Sequence, residues 1–140
     1  MPFQEKSAWT MLAALLCCGL LYCAQITSMS PSIGELARPT MPIVIVYTVI
    51  LVVVAIVGHI VIAIFAPEEA KASIDERERK IVDRAAHLSA YVFTIGVVLS
   101  LILYMISYDG NMFFYTVLGS LVIGQLAEYA FQIYFYRAGL

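Results

Sequence analysis

Of 140 residues, 62% are hydrophobic and only 13% charged, and the net charge is −2, with a mean hydropathy of +0.91. A soluble domain of this size cannot hide so much apolar surface, so the composition indicates an integral membrane protein with no room for a separate soluble domain. The few basic residues are interleaved with acids, which leaves no case for a nucleic-acid partner.

The first apolar segment runs over 8–27 and holds all three cysteines, Cys17, Cys18 and Cys23. Without a CxxC or a Cys/His cluster they suggest neither a metal site nor a disulfide framework. Glu5 beside Lys6 ahead of it, and the lack of a clean small-x-small site after it, favour a retained span over a cleaved signal peptide. Pro31, Gly34 and Pro39 break the chain before the second segment, 41–66. Pro42 falls in that segment's first turn, where a missing N–H costs little, and Pro67 stops it. A charged arm, 68–87, follows and contains the run Asp75-Glu76-Arg77-Glu78-Arg79-Lys80. The third and fourth segments, 88–108 and 112–136, flank a polar turn at Asp109-Gly110-Asn111 and must therefore be antiparallel neighbours.

Each segment has about 20 or more residues, enough at ~1.5 Å per residue to cross a ~30 Å hydrocarbon core. Strand-like alternation is absent, and lipid offers the backbone no outside partner, so the segments are helices. The expected fold is all-α, a transmembrane four-helix bundle forming a single domain over 1–140, with the third helix extended into the cytoplasm.

Orientation follows from the basic residues. An even number of spans puts both termini and the arm on one side, which carries Lys6, Lys71, Arg77, Arg79, Lys80, Arg84 and Arg137, against Arg38 alone on the other. That bias predicts a multi-pass membrane protein with both termini cytoplasmic.

Within the arm, Ser73 and Glu76 have the spacing of a capping box, so the third helix should start near Ile74. Asp75/Arg79, Glu76/Lys80 and Arg79/Asp83 are opposite charges four apart, each pair worth about 0.2–0.5 kcal/mol to a helix. Ile74, Ile81, Ala85 and Leu88 give a narrow apolar stripe, and a thin stripe between charged flanks suits a partner helix or the same arm of a second copy. Asp75, Glu76, Arg77, Ile81 and Arg84 are the candidate docking residues. Six acids between Glu68 and Asp83 oppose attraction of the arm as a whole to anionic lipid. The segment Asp75–Ala86 resembles an uncharacterised family of small bacterial and archaeal four-span membrane proteins with the pattern D-E-R-x-x-x-I-x-x-[KR]-A between the second and third spans. Asp75, Glu76, Arg77, Ile81, Arg84 and Ala85 fit it. The resemblance implies the four-helix plan and a prokaryotic origin, and it brings no activity with it.

Glu128 is the one carboxylate inside a predicted span, and a charge there costs about 2.5–3.5 kcal/mol on insertion scales unless it is paired or neutral. Gln125, Glu128 and Gln132 share one face of the fourth helix. His59 on the second helix lies ~7 Å, and Glu128 ~6 Å, from the centre of its own span toward the cytoplasm. A His59–Glu128 pair, joined by Thr94 of the third helix, is therefore the expected intramembrane polar cluster. Small residues four apart (Ala14/Cys18, Gly96/Ser100, Ser120/Gly124) allow close helix approach within one chain or in a homodimer. Tyr104, Tyr108, Phe113, Phe114 and Tyr115 mark one membrane interface, and Trp9, Tyr134 and Tyr136 the other.

No hydrolytic constellation is visible, and one intramembrane histidine per chain falls short of bis-histidine haem ligation, so neither a cofactor nor catalytic residues are expected. The reading is a non-enzymatic interaction or regulatory subunit that sits in the lipid bilayer and docks an unidentified protein partner through its arm. The competing reading is a dimeric proton-coupled small-molecule transporter using Glu128.

Overall fold

The computed structural model describes residues 3–30, 35–65 and 75–139. Four helices account for nearly all of them: α1 (Phe3–Met29), α2 (Met41–Phe65), α3 (Glu76–Ser107) and α4 (Gly110–Ala138). All four are long and apolar enough to cross a membrane, and together they form the expected all-α four-helix bundle. The segment 41–66 is recovered almost residue for residue, whereas α1 and α4 each run past the apolar segments that define them. Their extra turns carry Glu5, Ser7 and Arg137, polar groups that a hydropathy boundary leaves outside.

The helices meet mainly as three antiparallel pairs, α3 with α4, α4 with α1, and α1 with α2. In α2 no residue is buried. Away from α1, its β-branched surface is what lipid accepts, since hydrocarbon tails are as apolar as the side chains.

The α3–α4 hairpin is tighter than the expected three-residue turn. Tyr108 closes α3 in the left-handed region (φ 53°), its N–H donating to the Tyr104 carbonyl at 2.8 Å. Asp109 caps α4 by accepting from the N–H groups of Asn111 (2.8 Å) and Met112 (3.3 Å), which satisfies two of the orphan donors of a helix start. Gly110 and Asn111 are thus already helical, and the left-handed residue is a tyrosine rather than the adjacent glycine.

Along the hairpin the small residues face one another. A Cβ added to Gly96 would lie 2.7 Å from the Ser120 Cβ, and one added to Gly124 would lie 3.0 Å from the Phe93 Cβ. The Ser100 and Ser120 hydroxyls sit 3.4 Å apart, while donating to the Gly96 and Thr116 carbonyls respectively. Two of the three seams seen in the sequence, Gly96/Ser100 and Ser120/Gly124, are therefore spent inside one chain. They are not left over to join two copies.

At 32 residues, α3 is ~48 Å long and exceeds what a ~30 Å core requires. Its helix begins at Glu76, with Asp75 as the N-cap accepting from the Glu76 N–H at 2.8 Å. The start is therefore later than the expected Ile74. Ser73 and Ile74, the expected cap and first helical residue, lie outside the described residues. The arm pairs Asp75/Arg79, Glu76/Lys80 and Arg79/Asp83 do not close to ion-pair distance, whereas Arg137 does reach Glu5. Exposed side chains of this length keep more freedom and hydration apart than together.

Candidate functional site

Both ends of the bundle are tied by specific contacts. At the hairpin end, the Tyr115 hydroxyl donates to the Ala37 carbonyl at 2.9 Å, fixing the α1–α2 connection against α4. Tyr22 packs edge-on to Tyr47, with centroids 5.1 Å apart, and lies 6.5 Å from Tyr115. A shallow open groove there is lined by Gln25, Pro42, Ile43, Val46 and Tyr47. Its lining carries no charge, and its polar groups are an amide and a phenol already bonded to the Leu21 carbonyl.

The opposite end collects the ionisable groups, and it is the candidate site. Three contacts hold the helix ends together. First, the apolar stripe of the arm is covered by the chain itself: Ile81 (3% exposed) and Ala85 (0%) pack on Phe135 of α4, with Leu88, Phe131 and Tyr136 around them. Where Ile81 and Ala85 precede the apolar run that begins at Leu88, this packing gains the hydrophobic drive that helices in lipid lack. Second, the Arg84 guanidinium lies 5.2 Å from the Phe135 ring centroid. Third, Arg137 at the end of α4 reaches back to α1, with Nε 3.7 Å from Glu5 Oε1 and Cζ 5.4 Å from the Trp9 centroid. Glu5 is only 6% exposed, so losing Arg137 would strand a buried carboxylate.

This geometry corrects the arm as expected from sequence. Ile81 is not a docking residue, because α4 already occupies the stripe that a partner helix would need. Arg84 belongs in part to the same internal contact. The exposed charges that remain are Asp75, Glu76, Arg77, Arg79, Lys80 and Asp83.

The expected intramembrane cluster also comes apart. His59 faces α1, where its Nε2 is 2.7 Å from Ser7 Oγ, while its Nδ1 is 2.7 Å from the Ala55 carbonyl. A carbonyl can only accept, so Nδ1 carries a proton, and in the neutral ring Nε2 accepts from the buried Ser7 hydroxyl. Glu128 is met instead from its own helix, by the Gln132 amide at 3.4 Å. Gln132 is buried, whereas Gln125 is exposed. Thr94 is exposed and donates to its own Ala90 carbonyl at 2.8 Å. The reason is lateral order. Because α2 packs on α1 and α1 on α4, α1 stands between His59 and Glu128, and equal depth brings nothing into contact. Of the expected cluster only Glu128 and Gln132 meet.

Sequence reasoning missed Ser7 and the Glu5–Arg137 clasp. For the clasp the signal was present, since both residues lie on the same predicted rim with opposite charge; for Ser7 it was not, because counting along α1 puts Thr10 nearer the expected level of His59. Chemically, Ser7–His59 has the polarity of a general-base pair. Its hydroxyl, however, is buried between two helices, and what it does in this arrangement is tie α1 to α2.

No family model, no curated protein and no solved structure matches the chain.

Proposed function

We propose that this protein is a non-enzymatic subunit of a prokaryotic inner membrane, with both termini inside, that engages a cytoplasmic protein partner through the charged face of its arm. The orientation rests on the basic residues gathered at the arm end against Arg38 at the other. One observation carries the docking role: the arm is a continuous extension of α3 pinned through Ile81 and Ala85 to Phe135. A helix held this way presents Asp75, Glu76, Arg77, Arg79 and Asp83 in a fixed pattern, so a partner need not order a flexible segment on binding. The Glu128 pairing within α4 gives no comparable support to proton-coupled transport.

The test is recovery of partners on the full-length protein in mild detergent, with Glu76→Lys, Arg77→Glu and Arg79→Glu combined. A specific partner, reproduced across preparations, should fall by about tenfold or more, because reversed charges replace attraction with repulsion at each contact. Circular dichroism and monodispersity should stay unchanged. Equal recovery on the charge-reversed arm contradicts the proposal.

A further inference from the structure

Lys80, Arg84, His87 and Tyr91 follow one another at steps of four, three and four residues, so they share one side of α3. The centre of that side lies roughly 145° around the helix from the face buried against α4 (Ile81, Ala85, Ser89, Gly96, Ser100), counting 100° per residue, and Arg84 is on its edge nearer α4, where it reaches Phe135. All four are exposed, Tyr91 by 57%. The stripe also crosses the level where the apolar run begins at Leu88: Lys80 lies ~12 Å and Arg84 ~6 Å above it, and Tyr91 ~4–5 Å below. This is the depth of phospholipid headgroups and their first acyl carbons.

The side chains are arranged for an acceptor. Arg84 rests against the Phe135 ring, and a guanidinium over an aromatic face keeps its in-plane N–H donors available. The Tyr91 hydroxyl and His87 Nε2 are 3.3 Å apart, and the two rings meet edge to face at 5.2 Å. That contact engages Nε2 and leaves the Nδ1 edge of the ring for another partner. The acids that weigh against anionic lipid in a count over the whole arm are unevenly placed. Asp75 caps the helix start, and Glu78 falls on the α4 side, within electrostatic reach of Tyr136. Asp83 and Glu76 flank one edge of the stripe.

We infer that Lys80, Arg84, His87 and Tyr91 form a binding site for the phosphate headgroup of an anionic phospholipid, with Tyr91 against its upper acyl chain. The lipid lies along α3 at the foot of the arm, on the side that Arg84 and Phe135 bound toward α4. Occupancy there neutralises the basic edge of the arm and fixes its height relative to the membrane surface.

Native mass spectrometry of the full-length protein in mild detergent, titrated with phosphatidylglycerol, phosphatidylcholine or inorganic phosphate, tests this. Phosphatidylglycerol should bind in preference to phosphatidylcholine, and inorganic phosphate should neither bind nor compete at equal concentration. Lys80→Gln with Arg84→Gln should weaken phosphatidylglycerol binding about fivefold for each basic residue removed, and His87→Phe should weaken it further. Asp83→Asn should strengthen it. Arg79→Gln removes the same charge off the stripe and should change little, and it also controls for folding. Equal loss with Arg79→Gln and with Arg84→Gln, or equal uptake of the two lipids, overturns the site. Competition by inorganic phosphate overturns the lipid as its ligand.

Discussion

Gly96→Ala should destabilise the bundle by about 1–3 kcal/mol, the usual cost of overpacking a tight interface. Two effects oppose each other. Alanine is the better helix former by up to ~1 kcal/mol, which alone would make the substitution stabilising. The new methyl, however, would sit 2.6 Å from Ser120 Oγ, 2.7 Å from its Cβ and 3.4 Å from its Cα. The hydroxyl could turn away, but Cβ and Cα move only with α4, so the helices must part along the seam. The steric effect therefore wins. Ser120→Gly in the same chain removes the two closest atoms and should recover most of the loss. Gly58→Ala is the internal comparison. There the clash is with the Thr10 methyl at 2.6 Å, a side-chain end that can rotate at the expense of its hydrogen bond to the Lys6 carbonyl, so the cost should be smaller. Reversible unfolding in mixed micelles reads all three variants. A neutral Gly96→Ala would show that α3 and α4 do not approach as described.

Phe135→Ala should release the arm. Phe135 is 5% exposed and is the surface on which Ile81, Ala85 and Arg84 all rest. Truncating a buried phenylalanine costs about 3–5 kcal/mol in a packed core, and the lower end is expected here because the contact lies at the rim of the bundle. Local motion is the more specific readout. A spin label at position 79, in a background without Cys17, Cys18 and Cys23, should pass from restricted to mobile on Phe135→Ala, while a label at Leu101 keeps its spectrum. Phe135→Leu retains most of the apolar cover and should preserve the restricted signal. An arm label indifferent to both substitutions would mean that α4 does not hold it.

What the sequence made legible was whatever depends on one dimension. Hydropathy located the spans because a backbone in lipid has only the helix open to it, and the short connection at Asp109 dictated an antiparallel hairpin. Depth could be counted too, which put His59 and Glu128 at one expected level. What counting cannot supply is the order of helices around the bundle, since α1 can stand beside either neighbour without changing any hydropathy value. That single unknown separated His59 from Glu128 and paired it with Ser7. It also reassigned Ile81 and Ala85 from an outward stripe to the α3–α4 contact. The seam residues Gly96, Ser100, Ser120 and Gly124 were visible as small residues at the right spacing, but whether they met each other or a second copy depended on packing. Finer errors have local causes. Asp75 serves as the cap because its carboxylate reaches the Glu76 N–H, and Tyr108 takes the left-handed position because α4 starts at once behind it, with Asp109 as its cap.

The proposed orientation requires four crossings that leave both termini and the arm on the same, cytoplasmic side. Single cysteines placed at Glu76, Arg79 and Asp83, and others at Arg38 and Asp109, each in a chain without native cysteines, can be probed in intact cells with a membrane-impermeant maleimide. Labels should appear at positions 38 and 109 in intact cells, and at 76, 79 and 83 only after the inner membrane is permeabilised. Labelling of the arm in intact cells, or of Arg38 and Asp109 on opposite sides, would contradict it.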